Sequence, residues 1–102
     1  MPGFSMGDVV TWASQSNGVV RTKSGTVVCV VPIDQYLWRT FEQHDALANY
    51  DTHGLEVGYA RAHESYLVAV TMRTPGGKIK QRQKLYWPKV QGLTRSKAIV
   101  SA

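Results

Sequence analysis

Positions 25–32 read Gly-Thr-Val-Val-Cys-Val-Val-Pro, an unbroken, mostly β-branched apolar run opened by a turn glycine and closed by a proline. Such a run predicts a strand buried on both faces at the centre of a small sheet. Pro32 ends it, because proline has no amide hydrogen to give to a ladder. The residues before it must form a hairpin into it, and those after Pro32 must come back to pair with it. Cys29 lies inside the run, where a thiol behaves as a small hydrophobe. It is the only cysteine, so no internal disulfide forms, and a reducing cytoplasm is the natural compartment.

A chain of 102 residues makes one domain, 1–102, with one core. Its 43% hydrophobic and 10% aromatic content excludes a disordered tail. No apolar stretch approaches membrane-spanning length, and the N-terminus lacks the charged and apolar regions of a signal peptide. No membrane role is expected.

Residues 1–6 read as a loose lead-in. Val9-Val10-Thr11-Trp12 is a first strand, Asn17-Gly18 a tight-turn signal, and Val19 to Lys23 extends again before Ser24-Gly25 turns the chain into the central strand. Residues 65–70, Ser-Tyr-Leu-Val-Ala-Val, are a third strand. Thr74-Pro75-Gly76-Gly77 is a turn, and residues 78–87 are the returning strand, stopped by Pro88. One 3₁₀ turn near residues 89–92 and a short last strand from Leu93 complete the pattern.

Residues 33–63 form the atypical part, a helix-and-loop insertion between the central and third strands. Asp34 is placed to cap a helix over residues 35–49, with Leu37, Trp38, Phe41 and Ala48 near one stripe and Leu47 beside it. Residues 50–63 read as an ordered loop. An excursion of this length in so small a domain is more often functional than idle.

Hairpin, central strand, long loop, hairpin, helical turn and closing strand describe a mainly β fold, a small, bent antiparallel barrel. Met6-Gly7-Asp8-Val9-Val10-Thr11-Trp12, Lys23-Ser24-Gly25-Thr26-Val27-Val28 and Leu85-Tyr86-Trp87-Pro88 with Val90 and Leu93 resemble the SH3-like barrels of the Tudor and KOW type. They are especially similar to small bacterial and phage proteins of that layout. The resemblance covers the barrel segments and not the 33–63 insertion. It implies a single SH3-like antiparallel β-barrel with one helical insertion, and it specifies fold more than activity. The type II dihydrofolate reductases share a similar layout, as tetramers around one pore whose strand reads Val-Gln-Ile-Tyr. Here Lys84-Leu85-Tyr86-Trp87 keeps the aromatic and lacks the glutamine. A reductase of that kind requires a symmetric oligomer with Tyr86 lining the pore.

The charge is divided unevenly along the chain. Residues 33–64 hold six acids against Arg39 and Arg61, a local balance of −4, whereas the remainder holds ten bases against Asp8 alone. Such asymmetry bears on partners more than the net charge of +5 does. In the returning strand Lys78, Lys80, Arg82 and Lys84 alternate with Ile79, Gln81, Gln83 and Leu85. At period two the four cations share one face, with Tyr86 next in the row, Arg73 across the turn and Lys89 beyond. A phosphate backbone releases counterions as such a row binds it. Lysines that protect a sheet edge give a similar pattern on fewer residues. Trp12, Tyr86 and Trp87 would offer stacking surface where exposed, though Trp12 and Trp87 are expected to pack in the barrel.

The insertion supports a second reading. Tyr36, Trp38, Phe41, Tyr50 and Tyr59 concentrate aromatic content where lysine is absent, the composition of a protein-binding surface. Leu37 and Phe41 are expected to cap the barrel's open end, leaving Tyr36, Trp38 and Tyr59 as protein-contact candidates. His44, His53 and His63 match no zinc spacing, and His63-Glu64-Ser65 are chain neighbours rather than a catalytic triad. Neither a metal, nor a cofactor, nor a catalytic group is expected.

The reading is therefore a non-enzymatic binding module that contacts DNA or RNA through a basic hairpin. The alternative is a protein-binding accessory or inhibitor of a phage or mobile element acting through the insertion. The acidic segment facing the basic one would also suit a homodimer.

Overall fold

The computed structural model describes residues 3–96. Its strands are β1 (Val9–Ser16), β2 (Val19–Val31), β3 (Ser65–Val70), β4 (Lys84–Tyr86) and β5 (Thr94–Arg95), with one α-helix, α1 (Leu37–Gln43), between β2 and β3. All five strands form one antiparallel sheet in the order β4-β3-β2-β1-β5, with β4 and β5 at its edges.

β1 and β2 join through Asn17 and Gly18, both at positive φ, the backbone a two-residue hairpin loop demands. The expected turn at Ser24-Gly25 is not formed. β2 runs unbroken for thirteen residues, and its partner changes instead. Residues 19–26 pair with β1, residues 26–31 pair with β3, and Thr26 opposes both Val9 and Ala69. Gly25 sits at this exchange because a Cβ there would collide with the Ala69 carbonyl oxygen and with the side chains of Val68 and Val70. A register shift between Val27 and Cys29 bends the strand further.

The strand enclosed on both faces is β3 rather than the 25–32 run. Residues 65–69 are all buried, whereas Val28 and Val30 of β2 are only half-buried. Alternate β3 residues enter two separate cores. Tyr66 and Val68 pack with Phe4, Val10, Trp12, Val27 and Leu93. Leu67 and Ala69 pack with Cys29, Val31, Leu37, Leu47 and Leu85. Phe4 belongs to the first core, its ring edge-on to Tyr66 at 5.3 Å, so the lead-in is anchored from that residue onward.

From the segment between β2 and β3, Leu37, Phe41, Leu47, Tyr50 and Leu55 pack on Cys29 and Val31 of β2, Leu67 and Ala69 of β3 and Leu85 of β4. α1 has seven residues, begins after Tyr36 and lacks a side-chain cap; Asp34 stands outside it at positive φ. Leu37 is buried, Phe41 half-buried, and Trp38 faces solvent. After His44 the backbone tightens into a 3₁₀ turn, Asp45–Asn49, which buries Leu47. Carbonyl groups further along the chain serve as the helix cap: Tyr59 and Val57 accept from the Leu37 and Trp38 amides at 3.0 and 2.9 Å.

The returning strand is shorter than its sequence pattern. Residues 72–80 form a hairpin in which Thr74 and Lys80 amides donate to the Lys78 and Met72 carbonyls at 2.7 and 2.8 Å. The chain bends at residues 81–82, and only Lys84–Tyr86 joins the sheet. No helix of the described residues is long and apolar enough to cross a membrane.

Candidate nucleic-acid interface

The bend at residues 81–82 decides where the basic residues go. Lys78, Lys80 and Arg82 are exposed, and Lys84 is half-buried. Arg73 opposes Ile79 across the hairpin, which places it on the face opposite Lys78 and Lys80, and it donates to the Gly77 carbonyl at 3.1 Å. The single row of four cations expected from period two is therefore divided. Lys78 projects from the hairpin. Lys80 and Arg82 share a recess with Tyr50, Asp51 and Thr52, and Arg82 lines a second one with Phe41, Asp45 and Leu47. Lys84 returns to the sheet, its Nζ 5.3 Å from the centre of the Tyr86 ring.

Lys23, outside the expected patch, lies beside it. Its Nζ is also 5.3 Å from the Tyr86 ring centre, and Trp12, its cross-strand partner, lies 5.8 Å from the same ring. Two ammonium groups over one aromatic ring form a cationic cluster that joins the hairpin to β2. The register places Arg21 on the same face as Lys23. The sequence signal for both was the alternation Arg21-Thr22-Lys23, masked by its apparent role as an ordinary hairpin arm. Trp12 is 8% exposed and offers no stacking surface.

Among the described residues the one ion pair is Arg95 with Asp8 at 3.0 Å. Hydrogen bonds from the Ser5 amide and Arg95 hold the Asp8 carboxyl below its ordinary range. Arg73, Lys78, Lys80, Arg82, Lys84 and Lys89 have no carboxylate partner within ion-pair distance among the described residues.

Trp87 points away from Tyr86, toward the second core and a groove of about 770 Å³ between residues 53–63 and 84–91. Its indole N–H donates to Ser65 Oγ at 2.8 Å, and the Arg61 guanidinium lies 4.0 Å from its ring centre. Arg61 also donates to the Pro88 and Trp87 carbonyls at 2.8 and 2.7 Å, closing a stretch of the β4 edge that has no strand beside it. Burial lowers the pKa of this guanidinium. Sequence reasoning counted Arg61 only as a minority base in an acidic segment. Its position depends on a contact across 26 residues that local pattern does not carry.

Tyr36, Trp38 and Tyr59 are exposed, and Tyr36 stacks on Trp38 with ring centres 6.1 Å apart and planes 14° from parallel. The Tyr59 and Val57 carbonyls that cap α1 bring the 57–59 loop to the same surface. Cys29 is buried, its thiol pushed up by desolvation, as suits a core residue rather than a nucleophile. No group of three or more metal-ligating side chains gathers among the described residues.

No protein family, curated protein or solved structure matches the chain.

Proposed function

We propose that this chain is a non-enzymatic module that binds nucleic acid through phosphate contacts on the 73–84 hairpin and the adjoining Lys23–Tyr86–Lys84 cluster. The observation that carries the reading is the absence, among the described residues, of ion-pair partners for these cations, although six acids lie in the segment beside them. Like charges held at one surface repel, and a polyanion relieves that repulsion while releasing its own counterions. A strongly bent β2 that exchanges partners at Gly25 supports an SH3-like barrel as the scaffold, with residues 33–63 as its insertion. Phosphate contacts of this kind position a ligand and give affinity without reading sequence.

Fluorescence anisotropy with labelled DNA and RNA of random sequence, at low and physiological salt, tests the reading. Four neutralised phosphates give a slope of log affinity on log salt of about −3 to −4 on a duplex. Lys78→Glu with Lys80→Glu is expected to abolish most of this binding. Unchanged affinity in the folded double variant rejects the reading.

The stacked, exposed Tyr36–Trp38 pair favours a second reading, an accessory or inhibitor protein that contacts a protein partner through the insertion. Replacing Tyr36 and Trp38 by serine is expected to abolish capture of that partner and to leave the salt-dependent binding of nucleic acid in place.

A further inference from the structure

We infer that the groove between residues 53–63 and 84–91 receives a nucleotide unit of a single strand, with its phosphate at Arg61 and its base at Tyr59. The inference rests on the nucleic-acid reading above and names the form of ligand that reading leaves open.

Arg61 is the centre of the argument. Its guanidinium is fixed by two carbonyl oxygens and lies on the Trp87 indole, so its orientation is set before any ligand arrives. Two of its five N–H groups are engaged by these carbonyls, and no carboxylate approaches it among the described residues. Among the described residues no buried side-chain nitrogen lacks a partner, so Nε, which makes no hydrogen bond, reaches solvent, and Arg61 lines the groove. A rigid, partly desolvated guanidinium with a donor open to solvent and no counter-charge is an anion receptor, and phosphate is an anion that guanidinium donors recognise.

The walls add the other two requirements. Arg61, Lys84 and Lys89 line the groove against one acid, Glu56. Tyr59 stands on the rim with 61% of its surface exposed, a free aromatic face in an otherwise positive recess. The volume of about 770 Å³ is that of a small-ligand site, roughly 300–1,000 Å³. A duplex keeps its bases paired and stacked and presents only its backbone to such a recess. A single strand can turn a base out onto an aromatic ring. Lys84 lines the groove and also flanks Tyr86, so a strand held by the hairpin is led into the groove by a residue common to both.

The experiment compares one labelled oligonucleotide of about twelve residues, within the reach of small binding modules, as a single strand and annealed to its complement. The wild type is expected to bind the single strand about tenfold more tightly, the order of one base–aromatic stack. Tyr59→Ala, an exposed change that leaves the core intact, is expected to bring the ratio near one. Lys89→Ala, also exposed, is expected to reduce it in part. In a parallel NMR titration the single strand is expected to shift the Trp87 indole resonance, which a purely structural Arg61–Trp87 contact would leave in place.

Equal wild-type affinity for the two forms overturns the groove assignment and leaves the hairpin reading standing. Absence of binding to either form at low salt overturns both. A Trp87 shift produced by free thymidine monophosphate, together with equal affinity for single strand and duplex, overturns the strand in favour of a free nucleotide. Displacement of the strand by polyglutamate at an equal concentration of charge overturns it in favour of an acidic protein segment.

Discussion

The two faces of β3 are buried by different means. On the face of Tyr66 and Val68 much of the covering comes from β1 and β2, whose positions are fixed by ladder hydrogen bonds and a tight turn, with Phe4 and Leu93 added from outside the strands. On the face of Leu67 and Ala69 much of the cover is a single excursion of α1, a 3₁₀ turn and a long loop. A seven-residue helix does not stand alone in water. It is held by Leu37 and Leu47 beneath it and by backbone bonds to distant parts of the chain. The Asp34 amide donates to the Arg61 carbonyl, while Asp51 exchanges bonds with Gln83 and Leu85 at the β4 edge. One face is organised by local pattern and the other by a few long-range anchors. The groove lies where the second kind of cover meets the sheet.

The largest effects should come from residues that serve one face alone. Leu67→Ala is expected to cost about 2–5 kcal/mol in urea unfolding, since it empties the core under the insertion. A loss below about 1 kcal/mol would mean that this face is only loosely packed. Gly25→Val is expected to cost at least about 1–3 kcal/mol, because its side chain meets the Ala69 carbonyl where β2 changes partner. A neutral result there would remove the close approach from the account of the fold.

Leu37→Ala sharpens the contrast between the faces. Global stability should fall by about 2–5 kcal/mol, with amide exchange rising first in residues 33–63 and last in β1 and β2. Uniform exchange across both faces would show that they unfold as one unit. On the first face, Tyr66→Phe removes an acceptor from the Phe4 amide and a donor to Glu64 Oε1. Its thermal unfolding should show a loss of about 1–3 kcal/mol, with the insertion unaffected.

The smallest effect concerns Asp8, at the entry to β1. A carboxyl held below its ordinary range in the folded chain stabilises the fold above that range. This contribution is lost as pH falls through the lowered value. Asp8→Asn should therefore lower the melting temperature slightly at neutral pH, and the difference from wild type should vanish in strong acid. A difference that grows as pH falls would contradict the Ser5 and Arg95 contacts.

Several features were legible in the residues because they are local. β3 falls on residues 65–70 as expected, Asn17-Gly18 makes the hairpin turn, and Pro32 follows the last residue of β2. The readings that failed depended on distant atoms. A strand of period two over residues 78–87 was disrupted at residues 81–82, and the Asp51 backbone, from another part of the chain, pairs with what remains. The helix stops at Gln43 although the apolar stripe runs further, since its ends are set by where Leu37 and Leu47 reach the sheet. The cations were found by sequence, but their division between the hairpin, the Tyr86 cluster and the groove was not.

By itself, then, the order of residues determined that residues 9–12, 26–31 and 65–70 are strands, where the first hairpin turns and which part of the chain carries unbalanced positive charge. These follow from steric preference, alternation and composition, which act over a few residues. Tertiary structure alone decided that β2 serves two partners, that β3 separates two cores, and that Arg61 lies on Trp87 beside an open groove. Each of those depends on two atoms meeting across a long stretch of chain, and such a meeting is set by the packing of the whole fold.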